Sequence, residues 1–316
     1  MQWPSARPAR DLWNALRFWR AFRRDHAGLF PARDAALGLH SLILPQRLRH
    51  RSDARHFREA CTVSRHAEGI DRVEVRPLGV SFLWPAPAGG HLWHPIEQEA
   101  LESNPHHYTT PPIRLGPEST VLDVGACEGL FAFRVLRQGL ARRVTCFEPF
   151  PSMAALLREA AALNGLADRL GVEGCAVCNH SGEVGFRTDL GSDSSQVIPD
   201  PPAGFEGLRV RSVRIDDWLA ARGERLRPQD LLKIDAEGAD LDVLRGAERT
   251  LREDAPQVAV TTYHEDDHAH RIHAWLRSVQ PNYRFRLKGF SFWTPRPRPV
   301  LLQASAREVV RGGRVP

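Results

Sequence analysis

Lysine is nearly missing from this chain. Of 43 basic side chains only Lys233 and Lys288 are lysine, so the formal net charge of +5 is carried almost wholly by arginine. Arginine and alanine richness of this kind reflects genome composition and carries little weight as a nucleic-acid signal, although a basic surface also attracts anionic substrates. Long apolar runs are missing too. No stretch reaches the roughly 20 residues of a bilayer-spanning helix, and the N-terminus lacks the uncharged apolar core of a secretory leader. The cysteines, at 61, 127, 146, 175 and 178, are odd in number and show no disulfide framework. Cys175-x-x-Cys178 has no second pair and sits in an apolar strand-like run, so strand cysteines are expected rather than zinc or redox ligands. A reducing cytoplasm is the expected home. No internal repeat is present, and 316 residues at 42% hydrophobic suffice for one or two domains.

Residues 119–150, STVLDVGACEGLFAFRVLRQGLARRVTCFEPF, carry the most information. An apolar strand, Val121–Val124, enters the turn Gly125-Ala126-Cys127-Glu128-Gly129 and then a helical run, Leu130–Arg137. A second strand, Val144–Phe147, ends on Glu148. This is a βαβ unit with small residues where the chain must turn tightly, and with an acid placed for the vicinal hydroxyls of a ribose. The G-x-G-x-x-G of a dinucleotide site is absent, and Glu128 inside the turn would repel a pyrophosphate. Asp123 at the end of the first strand suits a cofactor bearing a cationic amine and a sulfonium. These features favour S-adenosylmethionine.

Further along, LLKIDAEGADLDVLRGA (231–247) gives a buried strand ending in Asp235, then Glu237-Gly238 and an amphipathic helix. SVRIDDWL (212–219) leads into it, and QVAVTTYH (257–264) forms the next strand. Together with VLDVGACEG and FEP, these blocks resemble the FkbM family of S-adenosylmethionine-dependent methyltransferases, over roughly residues 110–305. Cys127 is a departure, since the family often has a polar residue such as Asn there. The resemblance implies a Rossmann-like class I methyltransferase fold, an α/β arrangement with a mostly parallel sheet and helices on both faces. It is expected over 111–316, with a helical or mixed N-terminal extension over 1–110. The implied cofactor is S-adenosylmethionine, held by Asp123, Gly125, Ala126, Gly129 and Glu148, with Ala176 beside the adenine. The implied activity is O-methylation of a natural-product, sugar or glycolipid hydroxyl. A Tyr-His followed by Asp is similar to the family pattern and implies a site role for Tyr263, His264 and Asp266 or Asp267.

Outside these blocks, residues 11–24 place Leu12, Ala15, Leu16, Trp19 and Phe22 on one helical face and arginines mostly elsewhere. Such a helix docks on its own domain or a partner, or rests on an anionic membrane. Residues 33–83 read as helical patches with a strand pair near 72–83. Residues 85–117 read as a loop-like connection or substrate lid. After strand 172–178, Ser181-Gly182-Glu183 reads as a hairpin turn and 184–187 as its return strand. Residues 189–208 form a long polar loop, a helix is expected over 239–251, and another near 267–279. Segments 85–112 and 189–208 are expected to shape an acceptor pocket through His106, His107, Tyr108, Ser192, Ser194 and Ser195.

Methyl transfer is an in-line displacement, so alignment of the reactants supplies much of the rate, through effective molarities of roughly 10⁵–10⁸ M. A hydroxyl acceptor also loses a proton, and Asp235 and His264, with Glu237 nearby, are the candidate catalytic groups. Each has a plainer reading. Asp235 suits a helix N-cap, Glu237 a cap or cofactor-orienting group, and His264 a strand-end hydrogen bond. The run His264–His273 invites a metal site, but a polar helix face opposite Ile272, Trp275 and Leu276 explains it without one, and no metal is expected. Asp200-Pro201-Pro202-Ala203 precedes the fourth strand and lacks the aromatic of base-methylating enzymes, so no nucleic-acid partner is expected. Other acceptors, an amine, a carboxylate or a nucleic acid, and a non-catalytic scaffold remain as alternative readings.

Overall fold

Strands β4 (Thr120–Val124), β5 (Arg143–Phe147), β11 (Leu231–Ile234) and β12 (Gln257–Thr261) are buried at nearly every position. Continuous burial rather than alternation marks strands covered on both faces. The structure, a computed structural model, describes residues 9–34, 37, 46–186, 197–199, 201–202, 204–291 and 296–306. Among these, the four strands join β6 (Leu170–Glu173), β13 (Arg284–Ser291) and β14 (Arg298–Ser305) in a seven-stranded sheet ordered β13-β14-β12-β11-β4-β5-β6. All pairings are parallel except those of β14, which runs antiparallel to β12 and β13. This is the Rossmann-like class I methyltransferase arrangement.

Side chains alternate across the sheet and divide the core into two layers. Val121, Val144, Leu231 and Ala259 face α4 (Leu130–Arg137) and α5 (Pro151–Leu163). Leu122, Leu232, Val258 and Val260 face α6 (Ile215–Arg222), α7 (Asp240–Gly246), α8 (Glu248–Glu253) and α9 (His268–Val279). α5 opens with Pro151 in its first turn, where the missing N–H costs no hydrogen bond. α6 closes on Gly223 in the left-handed conformation.

The N-terminal segment is packed into both layers. α2 (Gln46–Ala60), a three-stranded antiparallel sheet of β1 (Cys61–Ala67), β2 (Ile70–Val75) and β3 (Val80–Pro85), and α3 (Trp93–Ala100) join the α4/α5 side. α1 (Ala9–Asp25) joins the other side. Its Phe22 is buried, with Phe30 and Phe290 in edge-on contact, and Phe18 and Trp19 are half-buried beside it. The docked helix is therefore the arrangement seen for residues 11–24. No described helix is long and apolar enough to cross a membrane. Two buried ion pairs fasten the segment: Arg134 Nε donates to Glu99 Oε2 at 2.7 Å, and Arg286 Nη2 to Asp34 Oδ1 at 2.7 Å.

Several expectations change. Residues 93–100 are a helix, not loop, because Trp93 and Ile96, one turn apart, find the core together. The strand pair expected near 72–83 is the β2–β3 half of three strands. Segment 172–178 is split between β6 and a two-residue strand, β7 (Ala176–Val177), in a different sheet. The expected hairpin does not form. β8 (Gly182–Phe186) pairs instead with β10 (Leu208–Val213) and with β9 (Val197–Pro199), while β7 runs parallel to β10. A strand of two residues offers too little edge, whereas β10 spans six. The helix expected over 239–251 breaks at Ala247, where a Cβ on Gly246 would lie 2.1 Å from the Cys178 carbonyl oxygen.

Candidate active site

The carboxyl ends of β4, β5 and β11 meet in one cleft of about 820 Å³ including its open mouth. Its lining includes Gly125, Cys127, Glu148, Ala176, Asp235 and Glu237, with Phe150, Met153, Val177 and Phe186 as an apolar wall. The glycine turn is tied on both sides. Gly125 N–H donates to Phe147 O at 3.1 Å, and Asp235 N–H to Val124 O at 3.0 Å. Gly125 has φ +75°, and a Cβ there would lie 1.9 Å from the Asp235 carbonyl oxygen. Only glycine permits this approach of strand β4 to strand β11. Cys127 (φ +46°) and Glu237 (φ +48°) also hold left-handed backbone, and both line the cleft. Non-glycine residues in that region concentrate at functional sites.

Glu148 is buried at the cleft wall and doubly held: Phe150 N–H donates to Oε1 at 2.9 Å and Cys127 N–H to Oε2 at 3.0 Å. Burial raises its pKa to about 7 against the pull of those two donors. Ala176 lies in the same cleft. The other expected cofactor residues stand behind it. Ala126 is buried in the turn. Gly129 (φ +82°) leads into α4, where an added Cβ would lie 2.2 Å from Leu157 Cδ1. Asp123 is fully buried and pairs with Lys233 Nζ at 2.8 Å, outside the cleft lining.

Lys233 has a structural task that sequence reading did not assign. Its Nζ donates to Gly125 O at 2.9 Å and lies over the rings of Tyr108 and Phe131. Burial alone would discharge the amine, but Asp123 and Asp235 together hold its pKa above the ordinary lysine value. The signal was present: a lone lysine in an apolar strand of an arginine-rich chain.

At the end of β11 the acids gather round His264. Its Nδ1–H donates to Asp240 Oδ2 at 2.9 Å, and its Nε2 lies 3.6 Å from Asp235 Oδ1 and 3.5 Å from Glu237 Oε2. Asp240, fully buried, also accepts from Ala236 N–H and Gly238 N–H. Tyr108 Oη donates to Asp235 Oδ2 at 2.8 Å, and Thr261 Oγ1 lies 3.1 Å from Asp235 Oδ1. Burial works against charging the imidazole, yet Asp240 above all, with Asp235 and Glu237, raises its pKa to about 9. Burial likewise opposes ionisation of Asp240, and His264 with the Ala236 amide overcomes it, leaving a pKa of about 2. Asp235 is not a helix cap: the cap position of α7 is Ala239.

The structure brings Asp235, Glu237 and His264 together as expected, and Asp240 joins them. An acid in the first turn of a helix reads as ordinary dipole compensation, which hid it. Tyr263 and His264 lie with ring centroids 4.2 Å apart and their planes tilted by 46°, and His106 packs edge-on against Tyr263 at 5.1 Å. Asp266 pairs with Arg298 at the surface, and Asp267 with Arg271. Of the expected acceptor residues, Tyr108 reaches Asp235, while His107 is turned inward, its Nδ1 bonded to Gln98 O. Ser192, Ser194 and Ser195 lie outside the described residues.

The family described as the Methyltransferase FkbM domain matches residues 123–287, from the end of β4 into β13. The 2-O-methyltransferase NoeI of Sinorhizobium fredii is 31% identical over 150 residues, covering 43% of this chain and 60% of that protein. The 31-O-demethyl-FK506 methyltransferase FkbM of Streptomyces tacrolimicus is 28% identical over 165 residues, covering 43% of this chain and 62% of that protein. The chain thus spans about three fifths of the length of these curated relatives. The crystal structure of methyltransferase FkbM from Methylobacillus flagellatus aligns with a TM-score of 0.46 at 16% identity, over 91% of this chain and 70% of that one. With more than half of its residues matched to one family, this chain belongs to the FkbM methyltransferase family.

Proposed function

We propose that the protein is an S-adenosylmethionine-dependent O-methyltransferase acting on a hydroxyl of a small natural product, sugar or glycolipid. One observation carries the reading: a single cleft presents Glu148 at one end and Asp235 with Glu237 at the other. These ends follow β5 and β11, two strand spacings or roughly 10 Å apart. That separation suits a nucleoside held at one end and a reaction at the other. The apolar wall of Met153, Val177 and Phe186 fits an adenine, and the amide-held Glu148 carboxylate fits ribose hydroxyls. Bound S-adenosylmethionine supplies an electrophilic methyl group on a sulfonium.

The chain's own part is to orient the acceptor and manage its proton. With a pKa of about 9, His264 is protonated at neutral pH in the protein alone and is not a proton acceptor there. Asp235 takes that role, its Oδ2 steadied by Tyr108 and its Oδ1 beside Thr261. The hydroxyl proton passes to Asp235 as the oxygen lone pair forms the new C–O bond, and the breaking S–C bond leaves its pair on sulfur. Products are a methyl ether and S-adenosylhomocysteine. The names of the two relatives, both O-methyltransferases, support oxygen as the acceptor atom. Mass spectrometry of extracts incubated with protein and deuterated-methyl cofactor tests this: a labelled ether is expected, falling at least about 100-fold in Asp235→Asn. A labelled amine or carboxylate would overturn it.

A further inference from the structure

One ligand atom from each of Asp235, Glu237 and His264 lies within 4.8 Å of the others, and Asp235 and Glu237 line the cleft. The His264 side chain is only 8% exposed, and its Nε2 makes no hydrogen bond among the described residues although it is aimed between the two carboxylates. That nitrogen stands at ion-pair distance from both acids without a hydrogen bond to either, so a divalent cation that displaces its proton to solvent would be held by all three groups. We propose that these three residues form a divalent-cation site of the magnesium or manganese class, on the acceptor side of the cleft. The acceptor half of this inference rests on the O-methyl-transfer reading; the cation half does not.

The surroundings are those of a built site. His264 Nδ1–H is committed to Asp240, which fixes the ring orientation and directs Nε2 away from that acid. Histidine ligands are commonly set by a carboxylate in this way. Asp235 is fixed by Tyr108 at its other oxygen. Ligand atoms on adjacent corners of an octahedron stand ~3.0–3.5 Å apart for metal–ligand lengths of about 2.1–2.5 Å. Here the imidazole nitrogen lies 3.5 Å and 3.6 Å from the two carboxylate oxygens, close to that spacing. Two carboxylate oxygens with one imidazole suit manganese or magnesium and leave three positions open. The neighbouring trio of Asp240, His264 and His268 is a poorer cage. Both Asp240 oxygens are already taken by amides and His264, and His268 Nε2 lies 3.2 Å from Glu265.

A cation here would hold an acceptor that offers two neighbouring oxygens, such as a vicinal diol, and make its hydroxyl more acidic. With a cation bound, Asp235 would serve as its ligand and the proton would pass to solvent water; without one, Asp235 takes the proton as above, and in both cases the C–O bond forms as the S–C bond breaks.

Titration of chelator-treated protein with manganese chloride, followed by the loss of the free-ion electron paramagnetic resonance signal, tests the site. One ion per chain is expected, with affinity at least about 10-fold weaker in Glu237→Gln and in Asp240→Asn, and unchanged in His268→Gln. Glu237 is 39% exposed, so its variant keeps the fold, which a thermal melt verifies. No binding up to millimolar manganese, or equal binding in wild type and Glu237→Gln, would overturn the cation. Calorimetry with S-adenosylhomocysteine on the same samples reports separately on the cofactor reading. If manganese binds but labelled-ether formation is indifferent to chelator, the acceptor half falls.

Discussion

Glu148 and Cys127 show how single residues shape one end of the cleft. The Cys127 amide reaches Glu148 only because residue 127 adopts φ +46°, a conformation that asparagine tolerates better than cysteine. In the proposed cofactor site, buried Glu148, with a pKa of about 7, would accept ribose hydroxyls best when ionised. Affinity for S-adenosylhomocysteine is therefore expected to weaken below pH 7, by up to about tenfold per unit, with a flat profile in Glu148→Gln. Calorimetry from pH 5.5 to 8.5 measures it, and the same slope in both proteins would count against the assignment. The stability contribution runs the other way. A carboxyl with a raised pKa favours the fold below its usual range, and that contribution fades as pH rises through about 7. The residue types of the site were legible from the motif. Their partners were not: neither Lys233 on Asp123 nor Asp240 on His264 follows from spacing along the chain.

Among elements, the junction of β4 and β11 carries most of the site. Lys233 on β11 donates to Gly125 after β4, and the backbone of residue 235 donates to Val124. Two adjacent parallel strands thereby hold the glycine turn and Asp235 as one unit. Gly125→Ala would drive a methyl into the Asp235 carbonyl and also pay for left-handed backbone. A loss of about 3 kcal/mol in urea-melt stability is expected, with cofactor binding lost in whatever remains folded. Gly129→Ala should cost less, because its nearest obstacle is the end of the flexible Leu157 side chain rather than backbone. Equal costs would show that the strand junction is not the constraint. Elements with their own period, such as α4 and α9, were readable from sequence. The pairing of β7 to β10 was not, because it depends on which edge is available rather than on any local pattern.

At the scale of the whole molecule, the N-terminal segment is part of the enzyme-like body rather than an appendage. It supplies Tyr108 to Asp235 and is fastened by buried charge at two points. Arg286 on β13 is held by Asp34 and also donates to Thr110 Oγ1 at 3.2 Å and to the Pro111 carbonyl. Removing one partner of a buried pair strands the other, so Asp34→Ala is expected to cost about 3–5 kcal/mol by chemical denaturation. A cost within 0.5 kcal/mol, the scale of a typical surface change, would mean that the segment is not anchored there.

By itself the sequence determined the α/β class, the positions of the principal strands, and the acids that end them. Those features follow from local period and from the chemistry of residue types at turns. Only the tertiary structure decided which acids share a cleft and which serve as buried struts. Asp123 and Asp235 end neighbouring strands and look alike in sequence, yet one neutralises Lys233 in the core and the other faces the cleft. A side chain's role depends on the charge and space that packing brings beside it, and those come from strands distant in sequence.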